Sequence, residues 1–215
     1  MSGVSGTRRI RDISQVLRPG LPVWPGDTEF AFERTWRMDE GSPVNVGRMS
    51  MSTHSGTHAD APLHYAQGGL DAASMDLGPY IGTCLVIDAR GVTGKIEIAD
   101  LPRIENVARV LFRTWDMFPH EQWRSDWLPI AAETIAWLAG QGVRLVGTDA
   151  PSVDPQESKT MDAHLAVMEH DMRILEGLVL DDVEEGLYEL VALPLKLAGG
   201  DAGLCRAILR ELADD

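Results

Sequence analysis

Cysteine and basic residues are scarce in this sequence of 215 residues. Only Cys84 and Cys205 are present, far apart and without C-x-x-C spacing. This usage is typical of a reducing compartment and argues against a disulfide framework. The 19 Lys and Arg against 33 Asp and Glu give a formal net charge of -14. Because such a chain repels a phosphate backbone, and no Lys/Arg stripe offsets the charge locally, we expect no nucleic-acid partner.

Long apolar runs, internal repeats and low-complexity linkers are also missing. No stretch approaches the roughly 18 to 20 apolar residues that a membrane-spanning helix needs. Residues 1–12 contain no apolar core followed by a cleavage site. We therefore expect a soluble protein of the cytoplasm without a membrane partner. Hydrophobic residues make up 44% and charged residues 24%, as in ordinary globular proteins, and the length predicts a single domain over residues 1–215.

Short apolar segments predict an α/β fold whose first half is β-rich. Residues 18–27 hold three prolines and two glycines, which predicts a constrained loop. Residues 30–51 alternate loosely between polar and apolar and predict a hairpin. Other short apolar segments predict buried strands, and segments of helical periodicity predict helices. The strands are expected at residues 84–89, 108–114 and 143–147, and the helices at residues 130–140 and 163–171. Residues 187–197 are strand-like, and residues 204–212 fit either a strand or a short helix.

Three of the six histidines fall within the run H-S-G-T-H-A-D-A-P-L-H at residues 54–64. His54, His58 and His64 stand there with Asp60, and imidazole and carboxylate ligands suit zinc and its first-row neighbours. On a helix, Asp60 would be rotated by about 240° from His54. In an extended chain, all four side chains share a parity and point to one face. We therefore predict an extended, kinked metal-binding segment and a metal-dependent hydrolase.

A second histidine-rich stretch, residues 158–177, offers further ligands. By helical geometry His164 shares a face with Asp171, whereas Glu176 lies about 120° away from that face. Spacing thus nominates His164 with Asp171 as readily as with Glu176. A Glu176 ligand requires the helix to end or bend between Asp171 and Glu176. For His120 and His170 we prefer a surface position without a ligand role.

The motif H-x-G-T-H-x-D-x-P-x-H, matched at every fixed position by residues 54–64, resembles that of the cyclase-like metal-dependent hydrolases. Five further segments are similar to the bacterial kynurenine formamidases (arylformamidases) within that family, so the likeness spans nearly the whole chain. These segments are V-W-P-G-D (23–27), G-T-D-A-P-S-V-D-P (147–155), S-K-T-M-D-A-H (158–164), I-L-E-G-L (174–178) and A-L-P-L-K-L-A-G (192–199).

The resemblance implies a swivelling β/β/α domain, with a β-rich barrel-like core and flanking helices, in a homodimer or higher homo-oligomer. It implies two zinc ions per subunit, with manganese or another divalent metal as the alternative. His54, His58 and Asp60 would bind the first ion and His164 the second, while Asp60 and Glu176 would bridge both. The implied activity is the hydrolysis of N-formyl-L-kynurenine to L-kynurenine and formate in tryptophan degradation.

The resemblance also implies roles for two residues that bind no metal. His64 would be the proton donor and acceptor, which suits an imidazole whose ordinary pKa is ~6.5. Trp24 would contact the aromatic substrate. Because Pro22 and Pro25 stiffen its loop, little conformational entropy would be lost on binding.

Three rival functions differ from this hypothesis. A serine-hydrolase formamidase needs a G-x-S-x-G nucleophile elbow, which is absent from the chain, and that class is excluded. Another cyclase-family amidase, such as an isatin hydrolase, would share residues 54–64 but differ around Trp24 and residues 158–164. A non-catalytic metal-binding module would not need His64, and the presence of His64 argues against it.

Overall fold

A computed structural model describes residues 8–212 of the chain, in eleven strands and two α-helices. Residues 1–7, part of the segment tested above for a leader, lie outside the described residues. The strands are β1 (Ile10–Asp12), β2 (Ala31–Trp36), β3 (Val46–Ser50), β4 (His58–Asp60), β5 (Ile81–Asp88), β6 (Arg109–Arg113), β7 (Leu145–Thr148), β8 (Arg173–Glu176), β9 (Gly186–Val191), β10 (Ala202–Leu204) and β11 (Ile208–Glu211). The helices are α1 (Ala132–Gly140) and α2 (Asp162–Glu169).

Nine strands form one mixed sheet in the order β1-β11-β9-β5-β6-β7-β8-β4-β10. Its centre, β5 to β8, is parallel, and antiparallel strands extend it on both sides. The helix α1 precedes β7 and α2 connects β7 to β8, as expected for parallel neighbours that need a crossover. This curled sheet with two helices confirms the predicted α/β, β-rich fold.

The central strands are buried on both faces, and their alternating side chains divide the interior into two apolar clusters. In β6, Val110 and Phe112 pack on the side of the helices, where Ile135 of α1 and Val167 of α2 meet them. Leu111, between them, points to the opposite cluster. This alternation is the two-residue period of a strand. It explains why the central strands are continuous apolar runs.

Most predicted elements are confirmed, with shifted ends. Residues 18–27 form turns without regular structure, and residues 30–51 form the β2–β3 hairpin. The strand predicted at 187–197 is too long, because β9 ends at Val191. Pro194, which lacks an N–H for a sheet ladder, makes only an isolated bridge to Cys205. The undecided segment 204–212 contains the strand β11, paired with both β9 and β1.

Both helices are shorter than predicted. The helix α1 begins at Ala132 because Ile130 is held in a bridge to Ile96. The helix α2 ends at Glu169, and Asp171 adopts a left-handed conformation with φ 49° before β8 begins. In residues 8–212, neither helix has the length and apolar character needed to cross a membrane.

Candidate active site

A pocket of about 520 Å³ opens where the parallel strands β7 and β8 end. The carboxyl ends of parallel strands are the usual place for a ligand site in an α/β sheet. The pocket wall combines the loop of Trp24, the turn around His54, the segment after β7 and Glu176 at the end of β8. Sequence segments far apart in the chain therefore converge at this edge.

The histidine motif is a strand for only three of its residues, His58–Asp60 in β4. Before it, the chain turns at Gly56, whose φ is 73° and where an added Cβ would lie 2.5 Å from Leu17 Cδ2. After it, Pro62–His64 form a 3-10 helix. The parity argument therefore holds for His58 and Asp60. His54 and His64 reach the same pocket through a turn and a short helix rather than through extended backbone.

Ligand-type atoms of the first motif crowd around one oxygen of Asp60. His54 Nδ1 lies 3.1 Å and His58 Nε2 lies 3.3 Å from Asp60 Oδ1. Glu176 Oε2 lies 3.5 Å from the same His58 Nε2. The strand pairing produces this contact, because His58 in β4 stands opposite Glu176 in β8.

The other oxygens of the same two carboxylates face His164. Its Nε2 lies 3.2 Å from Asp60 Oδ2 and 3.8 Å from Glu176 Oε1. Asp60 thus offers one oxygen toward His54 and His58, Glu176 offers one toward His58, and the other oxygen of each carboxylate faces His164. This arrangement could hold a divalent metal ion.

The structure decides between the two acidic residues that spacing left open. Glu176 is buried in the pocket wall, and its Oε1 also accepts a hydrogen bond from Val153 N at 2.9 Å. Asp171 is exposed and forms ion pairs with Arg144 and Arg173, each at 2.9 Å. Because the helix ends before Asp171, helical spacing cannot be extended to this position.

The buried polar atoms of the cluster fit a divalent metal ion. Within residues 8–212, His58 Nε2 and Asp60 Oδ1 are buried in the cluster and have no hydrogen-bond partner. Buried polar groups without a partner are rare in proteins and are typical of places where a water or an ion binds. One ligand atom from each of His54, His58 and Asp60 lies within 4.8 Å of the other two. Neutral imidazoles and carboxylates are the ligands that zinc and its neighbours accept.

Burial and mutual contact together raise the pKa values of His58, His164 and Glu176. Burial would lower the pKa of His58, but the carboxylates of Asp60 and Glu176 raise it to about 10. His164 is likewise raised to a pKa of about 10, chiefly by Asp154 and Asp60 against the effect of burial. Burial and the charge of Asp60 raise the pKa of Glu176. Without a metal, these histidines are therefore protonated and face the two carboxylates.

His64 differs from the other histidines of the pocket. Its ring centroid lies 4.0 Å from that of His54 and 5.8 Å from that of His164. Partial desolvation in the pocket and the charges of these two imidazoles, against the charge of Asp60, lower the pKa of His64 to about 4. Since His64 is neutral at neutral pH, it can accept a proton from a molecule bound in the pocket.

Three tryptophans form one aromatic wall, and sequence reasoning identified only the first. The ring centroid of Trp24 lies 5.4 Å from that of Trp123 and 5.6 Å from that of Trp127, with edge-to-face geometry. Trp24 and Trp123 line the pocket. Trp123 is fixed by a hydrogen bond from its Nε1 to Gln156 Oε1 at 2.8 Å. No spacing rule links residues 24 and 123, so only the fold could show this pairing.

Two other acidic residues at the site were not singled out from the sequence. Asp154 Oδ2 lies 2.6 Å from His164 Nδ1, and Asp201 Oδ2 lies 3.4 Å from His54 Nε2. Asp154 belongs to the segment G-T-D-A-P-S-V-D-P, which carried part of the resemblance but had no role assigned within it. His120 and His170 lie outside the pocket lining, as expected.

The raised pKa values predict how the stability of the metal-free protein depends on pH. The folded pKa of His58 and His164 is about 10, above the ~6.5 of an unfolded chain. The stabilisation from their protonated forms is complete below pH ~6.5 and is lost as the pH rises through about 10. Thermal melts of chelator-treated protein should show a falling Tm between roughly pH 7 and 10. The Tm of zinc-loaded protein, the control, should depend less on pH. If the Tm of the metal-free protein does not change over this range, the protonated forms of His58 and His164 do not stabilise it as predicted.

Comparison with known proteins places this chain in a family. The Cyclase family model matches residues 11–155. A relative from Erythrobacter litoralis (strain HTCC2594), described as kynurenine formamidase, is 78% identical over 214 residues, covering 100% of this chain and 99% of the relative.

Solved structures agree with this assignment. A structure described as a potential metal-dependent hydrolase with cyclase activity has a TM-score of 0.83 and 30% identity, covering 97% of this chain and 100% of the other. Isatin hydrolase A from Labrenzia aggregata shares the fold, with a TM-score of 0.79 at 24% identity, covering 98% of this chain and 96% of the other. The chain therefore belongs to the Cyclase family of metal-dependent hydrolases.

Proposed function

We propose that this protein hydrolyses N-formyl-L-kynurenine to L-kynurenine and formate, a step of tryptophan degradation. The observation that carries the proposal is the pocket in which a two-carboxylate, three-histidine cluster faces a neutral His64 and an aromatic wall. The relative with 78% identity, described as kynurenine formamidase, supports this substrate. The sheet from β1 to β11 draws strands from both ends of the chain, which supports action as a single domain.

The proposed cofactor is a pair of divalent ions, with zinc as the preferred metal and manganese as the alternative. One ion would be held by His54, His58 and Asp60, and the second by His164. Asp60 and Glu176 would bridge both, since each carboxylate already divides its two oxygens between the two groups of histidines. When bound, such ions polarise a carbonyl and acidify the attacking water.

The chain's own residues would move the proton and orient the substrate. His64, with a lowered pKa, takes a proton from the attacking water as the oxygen adds to the formyl carbon. It then gives this proton to the aryl nitrogen as the C–N bond breaks, so that formate and the free amine leave. Trp24 and Trp123 would contact the aromatic ring, and their fixed edge-to-face packing limits the entropy lost on binding.

Neither rival function is favoured by these observations. The isatin hydrolase of Labrenzia aggregata has 24% identity to this chain, which supports a common fold without supporting a common substrate. A purely metal-binding module would have no use for a neutral imidazole at the mouth of the cluster, where His64 lies.

We also propose that the protein works in the cytoplasm as a homodimer. Cys84 and Cys205 are both buried and unpaired, which suits a reducing compartment.

The β2–β3 hairpin forms a separate two-stranded sheet in which every residue is exposed, including Phe32 (50%) and Met49 (52%). Because an isolated two-stranded hairpin is marginally stable in water, packing against a second copy would stabilise it.

The substrate proposal predicts metal-dependent release of formate. Purified protein should release formate from N-formyl-L-kynurenine, lose this activity after dialysis against a chelator and recover it with zinc. Metal analysis of the active protein should give about two ions per chain, as expected for bridging carboxylates. Isatin serves as the control substrate, and rapid hydrolysis of isatin without hydrolysis of N-formyl-L-kynurenine would reject the proposal.

The proton-carrying role of His64 predicts a selective loss in the His64→Ala variant. General acid–base catalysis contributes typically about 10²- to 10⁴-fold to a rate, and we expect a loss of that size in kcat. The bound metal should be retained, because another set of side chains would hold it. His120→Ala, which removes an exposed histidine outside the pocket, is the matched control. Full activity of the metal-loaded His64→Ala variant would exclude this role.

The homodimer proposal predicts a concentration-dependent molecular mass. Light scattering behind size-exclusion chromatography should give about twice the mass of one chain. The double substitution Phe32→Ser with Met49→Ser should shift the protein toward the monomer, because it removes an apolar cross-strand pair from the exposed hairpin. Leu165→Ser, which changes an exposed apolar residue on α2, should leave the mass unchanged. A monomeric wild-type protein at micromolar concentration would argue against the dimer.

A further inference from the structure

Asp201 stands beside the histidine cluster because of the pairing between β4 and β10. Its backbone oxygen accepts a hydrogen bond from Ala61 N at 2.9 Å, directly after β4. The next residue, Ala202, pairs with Asp60. This register places the Asp201 side chain at the rim of the cluster, although 141 positions separate it from Asp60 along the chain (201 − 60).

The two oxygens of Asp201 have different neighbours. Oδ1 accepts a hydrogen bond from the Thr53 hydroxyl at 2.6 Å. Oδ2 lies 3.4 Å from Nε2 of His54. The hydroxyl of Thr53, the residue before His54, therefore holds the carboxylate in front of the imidazole.

His54 has one ring nitrogen inside the cluster and one outside it. Nδ1 lies 3.1 Å from Asp60 Oδ1, whereas Nε2 is buried without a hydrogen-bond partner in residues 8–212. A histidine that binds a metal through one nitrogen carries its proton on the other, and an acceptor there fixes the tautomer and the ring orientation. Asp201 is the carboxylate that faces this outer nitrogen.

The other two histidines of the cluster show the same arrangement with different acceptors. His58 Nδ1 lies 3.0 Å from Gly56 O. His164 Nδ1 lies 2.6 Å from Asp154 Oδ2. Each imidazole thus directs one nitrogen into the cluster and the other toward an oxygen. The Asp201 contact, at 3.4 Å, is the longest of the three.

We propose that Asp201, held by Thr53, is a positioning residue that fixes His54 as the Nε2–H tautomer with Nδ1 free to bind metal. The inference rests on the proposed metal site and adds to it a residue outside the ligand set. Asp201 also adjoins the proposed proton carrier, since atoms of His54, His64 and Asp201 lie within 4.8 Å of one another. Because Asp201 faces the outer nitrogen of His54, loss of Asp201 should weaken metal binding through His54.

The decisive experiment compares zinc binding by wild type, Asp201→Asn and Thr53→Val. Loss of an outer-shell partner typically lowers metal affinity about 10- to 100-fold, and we expect this loss for one of the bound zinc ions in both variants. Competition with a chromogenic chelator measures it without substrate. Thr53→Ser keeps the hydroxyl and should retain wild-type affinity. Asp71→Asn is the matched control. Asp71 accepts a hydrogen bond from N of Gly199, which lies close to Asp201 in the chain, but it does not face a histidine of the cluster.

A spectroscopic readout separates positioning from a general loss of structure. Long-range ¹H–¹⁵N correlation spectra of zinc-loaded wild type should show His54 protonated at Nε2, and Asp201→Asn should shift or broaden this signal. The signals of His58 and His164 should remain in place. Wild-type zinc affinity together with an unchanged His54 signal in a folded Asp201→Asn protein would overturn the inference. If wild type binds zinc but releases no formate, the proposed substrate fails while the role of Asp201 stands.

Discussion

Asp60 and Glu176 are two carboxylates buried side by side, and the residues around them must compensate for their negative charge. Burying an ionised carboxylate without a partner is costly, and each of these carboxylates raises the cost of ionising the other. His54, His58 and His164 face them at 3.1 to 3.8 Å. Bound protons or metal ions can supply the compensating charge, so the same cluster serves stability and chemistry.

The sheet places these opposing charges by pairing strands that are distant in sequence. β4 lies between β8 and β10, so His58 pairs with Glu176 on one side, and Asp60 pairs with Ala202, the residue after Asp201, on the other. The helix α2 then brings His164 over the same edge, with Asp154 accepting from its backbone N–H at 3.1 Å. The cluster therefore draws on the turn before β4, on β4 itself, on β8 and on α2, and the sheet limits how far it can relax.

Local patterns predicted the elements well because burial and turn chemistry act over a few residues. The apolar segment around Val110 and Phe112 became the central strand β6, and the Pro/Gly-rich segment 18–27 became a loop. Errors arose where a single residue overrode the pattern. Pro194 cannot donate to a ladder, so the strand β9 stops earlier. Asp171 takes a left-handed conformation, so the helical phase of His164 ends before it.

The sequence by itself determined the chemistry of the site: the ligand types in residues 54–64, the family resemblance and the expected metal-dependent hydrolysis. Those conclusions depend on residue identity and short spacing, which are visible in a linear chain. Only the tertiary structure decided that Glu176 rather than Asp171 faces the cluster, that Trp123 joins Trp24, and that Asp201 faces His54. These pairings depend on strand register and loop packing between distant segments, and no local period encodes such contacts.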